Sequence, residues 1–358
     1  MKKTLLVLTI ASALLSSQAV VAETQTNRYP NANVADISAV RGVNWDNYVQ
    51  AETDWNFRQV TNKVGVNQWI HDAPVSKDNQ TVIRSNRDVV YSIAVVDVSK
   101  GATFSVTDKN NDEFQIIHII DENHLTHKVV RRGESVTITP DDLSGGNYVY
   151  LLARTKDNGN LADTQRRQKL LSFTANSAKP YPAKGFAEQD VVDYRLKLIN
   201  NVMTGKATLE GAKGFGRTLN DVSDKDYRYA AAFGWGGLMP TTAQYLEAVP
   251  GQGATECQEW RVPQPKLNRE LGGYWSLTTY GPDGWIAKDK FYIAGEKMKD
   301  NGDGTSSVFF NCGGELAKYS LDVVENWAAI ARFYEPIDVQ ETLNHLQTLR
   351  GIPVKPVK

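Results

Sequence analysis

The fold of this chain is decided by residues 89–98, whose sequence is VVYSIAVVDV. A segment so rich in Val and Ile predicts a β-strand. Turn residues such as Ser99-Lys100-Gly101 and Arg132-Gly133-Glu134 separate it from further short apolar segments. Those segments predict strands at residues 82–84, 103–106, 114–120, 129–130, 136–138 and 148–153. Because no helical pattern interrupts them, we predict an antiparallel sandwich or barrel.

Helical periodicity flanks these strands on both sides. Apolar residues recur at helical spacing from residue 34 to 63, and Gly42 and Gly65 punctuate this pattern into two predicted helices. Helices are also predicted at residues 163–171, 187–203, 224–233, 238–246 and 339–349. A second group of strands is predicted at residues 274–280, 291–294, 305–310 and 329–334. The predicted fold class is α+β and β-rich, with two antiparallel β-sandwich-like modules, a helical block between them and a helical N-terminal segment.

The first 22 residues have the pattern of a secretory signal peptide. Lys2 and Lys3 precede an apolar segment at residues 5–15, and Val20-Val21-Ala22 supplies small residues for cleavage before Glu23. We therefore expect a periplasmic or secreted mature protein. The predicted segments are a signal peptide at 1–22, an N-terminal module at 34–175, a helical connector at 183–252 and a C-terminal β module at 253–358.

The chain has two cysteines, Cys257 and Cys312. An even pair in an exported protein predicts one disulfide bond, because the compartment is oxidising. The alternative is a pair of free buried thiols. A thiol nucleophile has less support, since neither cysteine lies in a recognisable Cys/His context.

Charge and composition exclude several classes of partner. The chain carries 40 Lys and Arg against 41 Asp and Glu, a net charge of -1, so nothing draws it as a whole to nucleic acid or anionic membranes. No internal segment approaches the roughly 18 apolar residues of a membrane helix. We predict no nucleic-acid partner and no membrane span, and the oligomeric state stays open.

Motifs for metal, nucleotide and hydrolytic chemistry are weak. His118, His124 and His127 cluster, but their spacing matches no established zinc pattern, and we expect solvated histidines of a hairpin. The glycine-rich residues 211–218 follow a predicted helix, whereas a phosphate loop follows a strand. The chain has no Gly-x-Ser-x-Gly or His-Glu-x-x-His motif. We predict no metal and no cofactor.

Polar and aromatic residues lie at the predicted strand ends of both modules. Such a mixture suits a small ligand with an apolar body and a polar end, with Arg332 pairing an anionic group. The alternative is that the aromatic residues fill the cores and the polar ones fix the strand ends. The candidate ligand-binding residues are Asn86, Asp88, Tyr91, Trp275, Tyr280, Asn326, Trp327, Arg332 and Tyr334.

The order of several short motifs resembles a known pair of families. The motifs are NRDVVY at 86–91, GGNY at 145–148, GGYWSLTTY at 272–280 and RFYEP at 332–336. Across residues 35 to 336 they resemble the paired domain-of-unknown-function families 1254, N-terminal, and 1214, C-terminal. The resemblance implies an exported, two-part, β-rich protein and brings no catalytic mechanism. The chain departs from the family pattern at Lys290-Phe291-Tyr292-Ile293 and at Asn326-Trp327-Ala328-Ala329.

Three functions follow as hypotheses. The first is binding, with processing as an extension, of a small or amphipathic molecule in a cleft between the two modules. The second is a cofactor-independent hydrolase such as an esterase, which requires a Ser hydroxyl within hydrogen-bond reach of a His. The third is a structural or envelope-interaction protein, which a flat exposed apolar patch would indicate.

Overall fold

The computed structural model describes residues 41–80, 84–107, 113–246 and 254–357. The predicted signal peptide, the predicted helix before Gly42 and most of the strand predicted at 82–84 lie outside these ranges. The described helices are α1 (Tyr48–Val64), α2 (Leu161–Gln168), α3 (Glu188–Met203), α4 (Asp224–Gly234) and α5 (Val339–Arg350).

Eight strands of the described residues precede the helical block. They are β1 (Ile70–His71), β2 (Val89–Asp97), β3 (Ala102–Val106), β4 (Gln115–Asp121), β5 (Thr126–Arg131), β6 (Ser135–Ile138), β7 (Tyr148–Lys156) and β8 (Leu171–Ala175). They form a five-stranded antiparallel sheet in the order β1-β2-β7-β4-β5 and a three-stranded antiparallel sheet in the order β6-β3-β8. The two sheets share one apolar core and make the N-terminal sandwich.

Strand β2 is buried on both faces, which explains its nearly continuous apolar sequence. Ala94 and Val96 face the core between the two sheets. Ile93 and Val95 face the other way, where Phe57 of α1 packs against them. Helices α1, α3 and α4 contact one another, so they form a layer on this side of the five-stranded sheet.

Nine strands follow the helical block in the part of the chain that the structure describes. They are β9 (Ala243–Leu246), β10 (Gln258–Pro263), β11 (Trp275–Tyr280), β12 (Tyr292–Ala294), β13 (Lys299–Asp300), β14 (Thr305–Phe310), β15 (Ser320–Leu321), β16 (Ala328–Tyr334) and β17 (Lys355–Pro356). One antiparallel sheet has the order β12-β11-β16-β9, and a second has the order β13-β14-β10-β17, with β15 parallel to β14. These sheets and α5 enclose one core, the C-terminal sandwich. The predicted α+β, β-rich fold class with sandwich-like modules is confirmed.

One predicted helix is wrong, and another is wrong in part. The helix predicted at 238–246 is replaced by β9, which pairs with β16 through Ala331↔Leu246 and Tyr334↔Ala243. The helix predicted at 163–171 ends at Gln168, and Leu171 begins β8, which pairs with β3. Both strands are stabilised by partners distant in sequence, which local periodicity does not reveal.

The disulfide prediction is confirmed. Cys257 and Cys312 are bonded, with 4.6 Å between their Cα atoms. They flank β10 and β14, whose ends pair through Gln258↔Phe310. None of the helices in the described ranges has the length and apolar character needed to cross a bilayer.

Candidate functional site

The outer face of the β12-β11-β16-β9 sheet packs against the N-terminal sandwich. Tyr274 and Tyr334 stack with their ring centroids 4.7 Å apart, and Phe114 of the N-terminal module lies 5.0 Å from Tyr334. Val89 and Ile116 belong to the same apolar cluster. We call this contact the module boundary.

An enclosed ionic pair crosses the module boundary. Asp88, just before β2, is 0% exposed, and Arg332 of β16 is 4% exposed, with 4.0 Å between Arg332 Nε and Asp88 Oδ2. Arg332 Nη1 donates to Thr278 Oγ1 at 3.0 Å, and Nη2 donates to Tyr280 Oη at 2.8 Å and to the Arg84 carbonyl at 3.2 Å. Burial raises the pKa of the Asp88 carboxyl, and the charge of Arg332 opposes that shift.

The hydroxyls of two tyrosines of the C-terminal module form hydrogen bonds with residues 85–88, the segment before β2. Tyr334 Oη donates to Asp88 Oδ2 at 3.1 Å and accepts from Asn86 Nδ2 at 2.8 Å. Tyr280 Oη donates to the Ser85 carbonyl at 2.9 Å. Asn86 Oδ1 also accepts from the Asp88 backbone N–H at 2.8 Å, which fixes the turn before the strand.

Three buried polar atoms at this boundary have no hydrogen-bond partner in the described part of the chain: Asp88 Oδ1, Ser276 Oγ and Tyr292 Oη. Ser276 lies close enough to lower the pKa of the Asp88 carboxyl, but Ser276 Oγ and Asp88 Oδ1 do not meet hydrogen-bond geometry. Tyr292 pairs with Thr278 across β11 and β12, which makes it a diagonal neighbour of Ser276 on the same face. Burial, and next the charge of Asp88, raise the pKa of Tyr292 well above its usual range. We call Asp88, Ser276 and Tyr292 the boundary cluster.

Arg87 stands beside this cluster. Its guanidinium lies 5.8 Å from the ring centroid of Tyr292, and it forms an ion pair with Asp157. The Arg87 side chain is 22% exposed, and Tyr292 is half-buried although its hydroxyl is enclosed. The cluster therefore lies one side chain below the surface.

The predicted ligand-binding residues divide into two groups. Six gather at the module boundary, and three lie elsewhere. The six are Asn86, Asp88, Tyr91, Tyr280, Arg332 and Tyr334. Tyr91 lies 5.5 Å from the guanidinium of Arg154 and packs against the apolar boundary residues.

Trp275, Trp327 and Asn326 are the three that lie elsewhere. Trp275 and Trp327 point into the C-terminal core, where they stack on Phe333 and Phe310 at 5.7 Å and 4.5 Å. Asn326 is exposed in a turn, with φ 56°. Trp275 points away because alternation along β11 places it on the face opposite to Ser276 and Tyr280.

The expected role of Arg332 requires correction. Its Nη atoms donate to Thr278, Tyr280 and Arg84, and its Nε faces Asp88. The guanidinium is thus occupied by the protein itself and is not placed to pair an anionic group of a ligand. Sequence reasoning also missed Ser276 and Tyr292, although strand alternation already put Ser276 on the face of Tyr280.

The expectation of solvated histidines is wrong for His118 and His124, which are 1% and 4% exposed. His118 Nε2 lies 2.8 Å from Thr126 Oγ1, and its Nδ1 lies 3.3 Å from Arg154 Nη1. His124 Nε2 accepts the Gly236 N–H at 2.9 Å. His127 is half-buried. Gly236, which follows α4, lies against this hairpin. Among the described residues, no three metal-ligating side chains come together.

The burial of His124 predicts acid sensitivity. Burial lowers its pKa from 6.5 to about 3. Between pH 6.5 and about pH 3, His124 is therefore protonated in the unfolded chain and neutral in the folded protein. The free energy of unfolding falls as the pH drops through this interval. At about pH 4.5 this amounts to about 2–3 kcal/mol. Wild type should lose this part of its free energy of unfolding between neutral pH and pH 4.5, and His124→Asn should not, because it lacks the titrating group. Urea unfolding at the two pH values measures the difference.

His127→Asn is the matched control for that experiment. It changes the same residue type in the same hairpin, but at a half-buried position. Burial lowers the pKa of His127 as well, but less than that of His124, so His127→Asn should reduce the acid-dependent loss of stability by less than His124→Asn does. Equal pH dependence of wild type and His124→Asn would contradict the prediction.

The described residues of the N-terminal sandwich include one serine–histidine contact. His71 Nδ1 lies 2.8 Å from Ser92 Oγ across the β1–β2 pair. Ser92 is 0% exposed, and its hydroxyl also accepts from Gln168 Nε2 at 3.3 Å. The hydroxyl that the esterase hypothesis needs is thus enclosed within the sandwich and held by a second side chain.

The comparisons with known proteins reveal a fold relative and no function. No family model matches the chain, so its resemblance to families 1254 and 1214 stays a prediction. No curated protein matches it. The chain is similar to the crystal structure of the VPA0106 protein from Vibrio parahaemolyticus, with TM-score 0.65 and 18% identity over 88% of this chain and 98% of that one.

A second solved structure shows a weaker likeness. It is a putative uncharacterized protein from Burkholderia cenocepacia, with TM-score 0.42 and 12% identity over 92% of each chain. At these identities the comparisons bear on the fold alone. The chain therefore shares its architecture with the Vibrio protein over nearly the whole of that protein's length.

Proposed function

We propose that the protein is exported and binds a small molecule at the module boundary, through a polar group that the boundary cluster receives. The observation that carries this proposal is the set of three enclosed polar atoms without partners, on Asp88, Ser276 and Tyr292. Leaving a buried polar group unpaired costs about 1–3 kcal/mol. Two modules that bring three such atoms to one place support a binding role.

The chemistry of the cluster selects the polar group. The Asp88 carboxylate accepts hydrogen bonds, and the hydroxyls of Ser276 and Tyr292 can donate or accept. An anionic group would be repelled by the Asp88 carboxylate, and the Arg332 guanidinium is not available to offset this repulsion, because it is bonded to Thr278 and Tyr280. The favoured group is therefore a hydroxyl, an amide or an ammonium.

Export is supported by two observations. The Cys257–Cys312 disulfide suits an oxidising compartment. The lysine-flanked apolar segment before Glu23 has the pattern of a cleaved signal. Together they favour the periplasm or the exterior as the place where the ligand is met.

The alternatives have less support. The esterase hypothesis rests on the His71–Ser92 hydrogen bond, and the enclosed position of Ser92 argues against it. The envelope-interaction hypothesis needs a continuous apolar surface. The large apolar side chains exposed in the described residues come from different positions of the sequence and give no direct support for one continuous surface: Leu161, Leu219, Phe233, Ile337 and Val357.

Removing the unpaired hydroxyls tests the binding role. Native mass spectrometry of protein isolated from the cell envelope should detect a bound small molecule on wild type. Ser276→Ala and Tyr292→Phe should each reduce its occupancy at least about tenfold, which corresponds to about 1.4 kcal/mol of binding energy. The same variants should be as stable as wild type or more so, because each removes an unpaired buried group.

Tyr319→Phe is the matched control. It removes a phenol from a half-buried residue of the same module and should leave occupancy unchanged. Wild type without any bound molecule, together with variants that only gain stability, would contradict the proposal and favour a purely structural boundary.

A further inference from the structure

A cavity of 160 Å³ lies in the C-terminal sandwich, where β11, β13 and β14 meet the turn after β12. The lining residues that matter to the argument are Arg269, Trp275, Gly295, Glu296, Met298 and Asp300. Cavities of about 150 Å³ bind molecules the size of benzene. The space therefore suits a molecule of about six to eight heavy atoms.

Trp275 presents one polar atom to this cavity. Its ring stacks on Phe333, and Gly295 lies so close to the indole nitrogen that any Cβ at position 295 would clash with it. The indole N–H makes no hydrogen bond to the described residues, although the side chain is only 3% exposed. The edge of the indole ring thus offers one N–H donor beside the apolar side chain of Met298, while the rest of the lining is mostly polar and includes Gln264 and Ser306.

Charges of both signs surround the opening. Arg269, Glu296 and Asp300 are exposed residues, so the cavity opens to solvent on their side. Glu296 is already paired with Lys156 at 2.6 Å. Arg269 Nη1 donates to the Gly273 carbonyl at 3.0 Å. A guanidinium has five N–H donors, and the others of Arg269 have no acceptor among the described residues. Among the described residues, Asp300 accepts hydrogen bonds from neutral donors alone, the Gly302 N–H at 2.9 Å and Gln264 Nε2 at 3.4 Å.

We propose that this cavity binds a small zwitterion of the free α-amino acid class. The carboxylate of the ligand would meet the Arg269 guanidinium and the Trp275 N–H, and its ammonium would meet Asp300. A molecule of the size of alanine or serine fills the volume. This site is separate from the boundary cluster, since Trp275 and Ser276 point to opposite faces of β11.

Three probes of nearly equal size test the proposal. Isothermal titration calorimetry of the full chain compares alanine with isobutyrate, in which a methyl group replaces the ammonium, and with 2-amino-3-methylbutane, in which an isopropyl group replaces the carboxylate. Alanine should bind, and each singly charged probe should bind at least tenfold more weakly. Glycine and serine extend the series to either side in size. No binding of any of the three amino acids, or equal binding of isobutyrate, would overturn the proposal.

Two variants assign the charges to residues. Arg269→Gln and Asp300→Asn should each weaken alanine binding about tenfold or more, and both residues are exposed, so folding should be preserved. Asp289→Asn is the matched control, because the Asp289 side chain is 82% exposed and lies outside the cavity. Equal losses in all three variants would show a general charge effect and refute the site.

Discussion

Replacing Arg332 with alanine is expected to lower the free energy of unfolding by about 3–5 kcal/mol. The substitution leaves the fully enclosed carboxyl of Asp88 without its cation and deprives Thr278 Oγ1, Tyr280 Oη and the Arg84 carbonyl of their donor. Breaking an enclosed ion pair on one side is costly because the remaining charge has lost its water as well as its partner. Urea unfolding at neutral pH measures the difference.

The partner variants make this prediction specific. In Asp88→Asn/Arg332→Ala the uncompensated charge is gone, so the double variant should be less destabilised than the sum of the single ones. Arg261→Ala is the surface control, because Arg261 and Asp303 form an ion pair with side chains about half exposed; its expected effect is within about 1 kcal/mol. The prediction would be contradicted if Arg332→Ala and Arg261→Ala unfolded at the same urea concentration.

The same variant should also change the pH dependence of stability. Without Arg332, burial raises the pKa of Asp88 further, since the opposing charge is lost. The folded state then binds a proton that the unfolded state has released, and stability falls as the pH rises above the usual pKa of a carboxyl. Arg332→Ala should therefore recover part of its lost stability in mild acid, relative to wild type.

The fold could be predicted from strands whose pattern is decisive. Residues 89–98 predict β2 because a strand buried on both faces must be apolar almost throughout. Alternation along β11 correctly separates Trp275, in the core, from Tyr280, at the boundary. By contrast, β8 and β9 gain their stability from pairing with β3 and β16, so their own sequences carry too little information.

The site could be predicted only in part, for the same physical reason. Asp88 and Arg332 each stand out as polar residues at a strand end, but their pairing joins positions 244 residues apart and needs both sandwiches in place. The burial of His118 and His124 likewise depends on Gly236 and its neighbours, which arrive from the helical block. Sequence identifies which side chains are unusual for their position, and packing decides whether they face a ligand or one another.

Removing both cysteines is expected to cost the protein about 4 kcal/mol, from the loop that the disulfide closes across 55 residues. The effect should be confined to the C-terminal sandwich, since the bond joins the ends of β10 and β14. Cys257→Ala/Cys312→Ala should unfold at lower urea concentration than oxidised wild type. Wild type in excess reductant is the control and should behave like the variant.

The bond also holds a segment that supports the core. Residues 254–257 lead into β10, and the Ala254 carbonyl accepts the indole N–H of Trp327 at 3.2 Å, while the Thr255 carbonyl accepts Asn311 Nδ2 at 3.0 Å. Without the disulfide this segment is held by these hydrogen bonds and by strand pairing, so it should open before the sandwich unfolds. Hydrogen exchange should then accelerate first at residues 254–258. Unchanged exchange there, with an unchanged urea midpoint, would show that strand pairing alone stabilises this end of the sheet.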